Sequence, residues 1–207
     1  MDANLRSAIV RALRRNVIIL LLFVIVAIGF IYSHQEPNQQ VPVTEQTAPL
    51  TTETQIVHPK PTHIRIPAIG VDADFEEPLG VDANQEVEVP KSFDTVGWYK
   101  YGPVPGELGP SVVLGHVDSR LGGPEVFYYL RDLTKGDRIE IDREDGSTVV
   151  FEVTRLETVS QAAFPSEEVY GNINFAGLRL ITCTGTYDHG TRRYDHNLIV
   201  FAKLITN

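Results

Sequence analysis

The sequence predicts a mainly β protein, an antiparallel barrel or sandwich with a few short helices, set behind one N-terminal transmembrane helix. Three observations predict it. Apolar and polar residues alternate with period two in the middle of the chain, longer apolar runs end at Gly and Pro spaced at turn intervals, and one unbroken apolar run follows a cluster of arginines at the N terminus.

The N-terminal element comes first. Residues 17–31 are apolar throughout apart from Gly29, and Arg6, Arg11, Arg14 and Arg15 precede them. As helix the run spans only ~23 Å, and counting Asn16, Tyr32 and Ser33 brings it to ~27 Å, near a ~30 Å hydrocarbon core once Arg15 snorkels and Tyr32 takes the interface. A cleaved signal peptide would share the basic flank. No A-x-A-like site follows, however, so residues 16–33 read as an uncleaved anchor. The arginines place residues 1–15 in the cytoplasm and the rest outside. Residues 34–61 are rich in Gln, Thr, Pro, Glu and Val with no hydrophobic period, which reads as a flexible linker with a coil span of ~30 Å. Residues 62–207 are of common size for one domain with a real core.

Within that domain, Arg138-Ile139-Glu140-Ile141-Asp142 and Thr148-Val149-Val150-Phe151-Glu152-Val153 alternate, and Asp145-Gly146 between them marks a hairpin. Ile139, Ile141, Val149, Phe151 and Val153 share a parity and give these strands one apolar face. Residues 112–116, 177–183 and 197–205 are more continuously apolar, as central strands are. Val126, Leu130 and Leu133 repeat at helical spacing after Pro124, which predicts a short helix over 125–133.

The net charge is −9, and the four arginines and Asp2 of the first fifteen residues make +3, leaving −12 on the remainder. So acidic an exterior part argues against nucleic acid as a partner and against polybasic membrane binding.

The chemistry concentrates at two strand ends. Cys183, the one cysteine in the chain, stands in Leu180-Ile181-Thr182-Cys183-Thr184-Gly185, where an apolar run stops at a turn. A thiol outside the cytoplasm with no disulfide partner calls for another reason to be there. His116 ends a comparable run, Val112-Val113-Leu114-Gly115-His116. Two strand ends are how a β scaffold presents a Cys–His pair to a cleft, although a buried cysteine packed as a small hydrophobe and a distant surface histidine fit the residues as well.

Taken in order, Ile64-Arg65-Ile66-Pro67-Ala68-Ile69-Gly70-Val71, Val96-Gly97-Trp98-Tyr99, Gly115-His116-Val117-Asp118-Ser119, Gly123-Pro124-Glu125-Val126-Phe127-Tyr128 and Leu180-Ile181-Thr182-Cys183 resemble a sortase from about residue 62 to the C terminus. The set is most similar to class F, with classes D and E less close. The resemblance implies an eight-stranded β-barrel with its active site at strand ends, Cys183 as nucleophile and His116 as general acid/base. It implies a cysteine transpeptidase that cuts an LPXTG-like sorting signal after Thr through a thioester and passes the acyl group to an amine of a cell-wall precursor or a pilin lysine. Sorting-signal-bearing surface proteins would be its partners, and no cofactor is called for.

The resemblance also implies a cationic third group, an arginine. Arg192 and Arg193 lie in Thr191-Arg192-Arg193-Tyr194-Asp195-His196-Asn197, whereas the family pattern has arginine directly before the apolar strand, where this chain has Asn197. If 193–197 are extended, Arg193 shares a face with Asp195 and Asn197 and Arg192 does not, so Arg193 is the expected donor. Thr182 and Trp98 are the expected substrate contacts, with Tyr99 beside Trp98. Asp118 is spaced to orient His116 but equally to share a strand face with it. Asp188 reads as a turn residue bonding its own backbone. Cys183, His189 and His196 match no common zinc spacing, so no metal site is expected. Two other readings are an L,D-transpeptidase-like Cys–His acyltransferase, whose Ser-His-Gly-Cys string is missing here, and a tethered β-barrel binding module with an incidental cysteine.

Overall fold

A computed structural model of the protein describes residues 59–119 and 122–205. The basic segment 1–15, the anchor 16–33 and the linker as far as residue 58 lie outside the described residues. Among the described residues no helix is long and apolar enough to cross a membrane.

Eight strands form one sheet: β1 (Pro61–Ile66), β2 (Val71–Asp74), β3 (Val96–Trp98), β4 (Gly109–Gly115), β5 (Arg138–Arg143), β6 (Thr148–Ser160), β7 (Ala176–Asp188) and β8 (Arg193–Leu204). Their order is β2-β1-β5-β6-β8-β7-β4-β3. The two edges then meet: Phe75, directly after β2, bridges Val96 of β3, and Leu79 bridges Tyr99. Glu76 N donates to Val96 O at 2.9 Å and Leu79 N to Trp98 O at 2.8 Å. These bonds nearly close the sheet into a barrel and leave little exposed edge.

The β5–β6 hairpin forms as its alternation predicts. Ile139 pairs Phe151 and Ile141 pairs Val149, and Ile139, Ile141, Phe151 and Val153 are completely buried. With Ile64, Val113, Leu178, Leu180 and Val200 they fill the barrel interior. A smaller cluster lies on the outer face of β4, β7 and β8: Val112, Ile181, Ile199 and Phe201, capped by Val169 of the short helix α1 (Ser166–Tyr170). The more continuous hydrophobicity of these three strands thus has a cause, since both of their faces are covered.

The helix expected over 125–133 is shorter and tighter. It is a 310 helix spanning Tyr128–Asp132. Glu125 N donates to Val117 O at 3.1 Å and Phe127 N to His116 O at 2.9 Å, while Asp118 bridges Pro124. Residues 124–127 are therefore committed to pairing with the segment that carries His116, and helical turns begin only beyond them. The spacing of Leu130 and Leu133 still serves packing, because both are buried in the barrel core.

Candidate active site

Among the described strands β4 and β7 pair in parallel, in register from Gly109↔Ala176 to Leu114↔Ile181, while the other strand-to-strand ladders are antiparallel. Parallel neighbours end at the same edge, about 4.8 Å apart. His116 and Cys183 each stand two residues beyond the last pair, so the end of the β4–β7 ladder sets them side by side; β7 itself, expected to stop at Thr184-Gly185, runs on to Asp188. They also share the parity of Leu114 and Ile181, the outer-face residues, which aims both away from the barrel interior.

The residues beside them explain the local sequence. A side chain at Gly115 would begin 2.5 Å from the Phe127 ring, so only glycine lets Phe127 fill the barrel under the histidine. Thr182 is 4% exposed, and its hydroxyl donates to Gly115 O at 2.8 Å. That bond ties β7 to β4 just past the end of their ladder, immediately before both Cys183 and His116. Thr182 thus braces the site from inside the wall. Trp98, the other expected substrate contact, is 7% exposed and its indole N–H donates to Pro103 O at 2.9 Å. Its neighbour Tyr99 reaches an open cavity of about 510 Å³, shared with Tyr101, Leu108, Tyr170 and Ile173. That cavity sits by Gly109, at the opposite end of β4 from His116.

β8 supplies the third side. Cys183 lies directly opposite Asn197, and Thr184 opposite His196. Asn197 Nδ2 donates to Thr182 O at 3.3 Å. Beyond this point β7 and β8 run on as a two-stranded arm that β4 does not accompany. A register shift between Thr184 and Tyr187 inserts an extra residue in β7. Gly185 takes φ +87° there, and a Cβ on it would meet Asp195 Oδ1 at 2.2 Å. The irregularity is in β7, so β8 remains extended from Arg193, which keeps the parity of Asn197. Arg192 sits outside the strand in the turn, at φ 57°. Asp188 ends β7 by accepting from Gly190 N at 2.7 Å and Thr191 Oγ1 at 2.9 Å.

Burial pushes the Cys183 thiol above its usual range; the Asp118 carboxylate adds to this and Arg193 opposes it. His116 and Arg193 have other partners. The Nε2 atom of His116 is 2.7 Å from Pro90 O, and its ring packs on Phe93 at 4.6 Å. Arg193 Nη2 donates to Glu86 Oε2 at 2.8 Å. Asp118 does not orient the histidine; its Oδ2 accepts from Tyr194 OH at 2.5 Å. Glu86, Pro90 and Phe93 all come from the segment between β2 and β3. The sequence holds no local signal for them, because they meet the site only through barrel closure. The same segment bounds a hollow of about 430 Å³ whose lining mixes carboxylates, among them Glu76, Asp82, Glu86 and Glu88, with apolar side chains such as Leu79 and Val89.

A thiol, an imidazole and a guanidinium gathered at one edge of a β-barrel define a cysteine acyltransferase type of site. The "Sortase domain" family model matches residues 64–205, and the chain belongs to the sortase family. Among solved structures it is similar to Sortase C1 of GBS Pilus Island 1 at 22% identity, covering 70% of this chain and 65% of that one, with a TM-score of 0.53. The lid mutant of Sortase A from Corynebacterium diphtheriae is 22% identical over 72% of each chain, with a TM-score of 0.55. Sortase C-1 from Actinomyces oris is 22% identical over 70% of this chain and 74% of that one, at 0.53. At these identities the likeness speaks for the barrel alone, and the chain spans just under two thirds of the Sortase C1 chain. No curated protein matches it.

Proposed function

We propose that the protein is a membrane-anchored sortase, of a class F-like type, that cleaves an LPXTG-like signal and transfers the acyl group to an amine. The observation that carries this is the placement of His116 and Cys183 two residues past the last pair of the parallel β4–β7 ladder. The Cys183 thiolate attacks the carbonyl carbon of the scissile Thr–Gly amide, and the charge that builds on oxygen is met by Arg193. As the C–N bond breaks, His116 gives a proton to the leaving amine, and the acyl group remains as a thioester on Sγ. An incoming amine then attacks the thioester and loses a proton to His116, and the Cys183 thiolate departs. Substrate has to draw His116 from Pro90 and Arg193 from Glu86 as it binds.

The Gly115-His116-Val117-Asp118-Ser119 string supports the class F reading. The arginine-flanked apolar run of residues 16–33 supports an anchor with the barrel on the outer side of the membrane. Incubating the purified protein with LPXTG-like peptides and amine acceptors, read by mass spectrometry, tests the reading. The expected product is the LPXT segment joined to the amine, with the acyl–Cys183 adduct trapped before acceptor is added. Absence of both across the peptide set overturns it.

A further inference from the structure

Two strands of the arm and one loop meet beside Cys183, and a side-chain hydrogen bond links the loop to the arm. Tyr194, the second residue of β8, donates its hydroxyl to Asp118 Oδ2 at 2.5 Å in a part-buried setting. Asp118 is two residues from His116, in the loop that leaves β4. Tyr194 pairs with Tyr187 of β7, and their rings pack at 5.1 Å. The bond therefore fastens the histidine-bearing loop to the arm that continues from Cys183. It also decides how much of a negative charge the thiol meets.

We propose that Asp118 and Tyr194 form a positioning pair for the reaction: their hydrogen bond holds the His116 segment against the β7–β8 arm, and the phenolic proton masks a carboxylate that lies within electrostatic reach of Sγ. This rests on Cys183 and His116 being the nucleophile and the acid/base. The groups bearing on the thiol are Asp118 and His116 after β4, and Arg193 and Tyr194 from β8, with Asn197 as its neutral cross-strand neighbour. Arg193 is itself tied to Glu86 of the β2–β3 segment. Asp118 raises the thiol and Arg193 lowers it. Tyr194 is pushed up to about 12, first by burial and then by its bond to Asp118, so the phenol keeps its proton wherever a sortase would work. A bare carboxylate near the thiol would suppress the thiolate, whereas a carboxylate shared with a phenol suppresses it less.

The test is the pH profile of Cys183 alkylation by iodoacetamide in the full-length protein, read by peptide mass between pH 6 and 10. Tyr194→Phe exposes the carboxylate, so alkylation at pH 7 slows by at least ~2-fold and the profile moves to higher pH. Asp118→Asn removes the charge, so alkylation quickens by at least ~2-fold and the profile moves to lower pH. In the double variant there is no carboxylate to mask, and its profile coincides with that of Asp118→Asn. A brace with no masking of charge would move both single variants the same way. Shifts of one sign, no shift in either, or a double variant that follows Tyr194→Phe overturns the proposal. Alkylation needs no substrate, so the result is separate from whether peptide is cleaved. Failure of the nucleophile reading would show instead as turnover in Cys183→Ala. Thermal melting of each variant reports whether it has folded.

Discussion

Arg193 donates to Glu86 Oε2 at 2.8 Å although 107 residues separate the two in sequence. Both side chains are more than half exposed, at 59% and 54%, so solvent screening holds the pair to about 1 kcal/mol or less. A bond that weak is one a peptide carbonyl can displace. Glu86→Gln should release Arg193 and raise kcat/KM by up to ~5-fold, the rate equivalent of that energy, with an unchanged melting temperature. A fall in kcat/KM would mean that Glu86 aims the guanidinium rather than competes for it.

Cys183→Ala should abolish thioester formation and peptide cleavage while the barrel stays intact, because the thiol is only partly buried and takes no part in the core clusters. Intact-mass analysis after peptide addition detects the adduct directly. His116→Ala should lower turnover by ~10²-fold or more across pH 6 to 9, and rates near those of the parent protein would remove the histidine from the mechanism.

Arg193→Ala should damage turnover more than Arg192→Ala. Arg193 lowers the Cys183 thiol's ionisation range and lies in β8, while Arg192 sits in the turn at φ 57°. Steady-state kinetics on both variants decides it. Equal, mild losses would shift the role of donor to Asn197, the residue directly opposite Cys183.

A pH effect on stability should come from the far side of the barrel. His63 Nδ1 lies 2.7 Å from Asp74 Oδ1 and Nε2 2.7 Å from Asp72 Oδ1. The bond to Asp74 raises the imidazole above 6.5 most, burial opposes, and Asp72 adds to the rise. The folded protein thus holds this proton more tightly than the unfolded chain does. The contribution is complete below pH 6.5 and is lost as pH climbs through the raised folded value. His63→Gln should cost melting temperature at pH 5.5 and cost less at pH 8.5. A constant difference would show that the histidine acts through packing instead of charge.

Local pattern determined much of this protein. Alternation with one parity made the β5–β6 hairpin readable down to Ile139, Ile141, Phe151 and Val153, because a strand with one covered face must alternate. The string before His116 was readable as a strand end, whereas β7 runs on past Cys183 to Asp188, and β8 begins at Arg193, four residues before the strand expected from Asn197. The tertiary structure decided the rest. That His116 and Cys183 are neighbours depends on β4 and β7 being parallel, a pairing made across more than sixty residues of chain, and no short-range period encodes which strands pair. Residues 124–127 pair with the His116 segment and the helix expected there is shorter, because that segment is a partner the local spacing does not contain. Glu86, Pro90 and Tyr194 reach the site by barrel closure and by the arm of β7 and β8. Their roles come from distances between strand ends, which the order of residues along the chain does not contain.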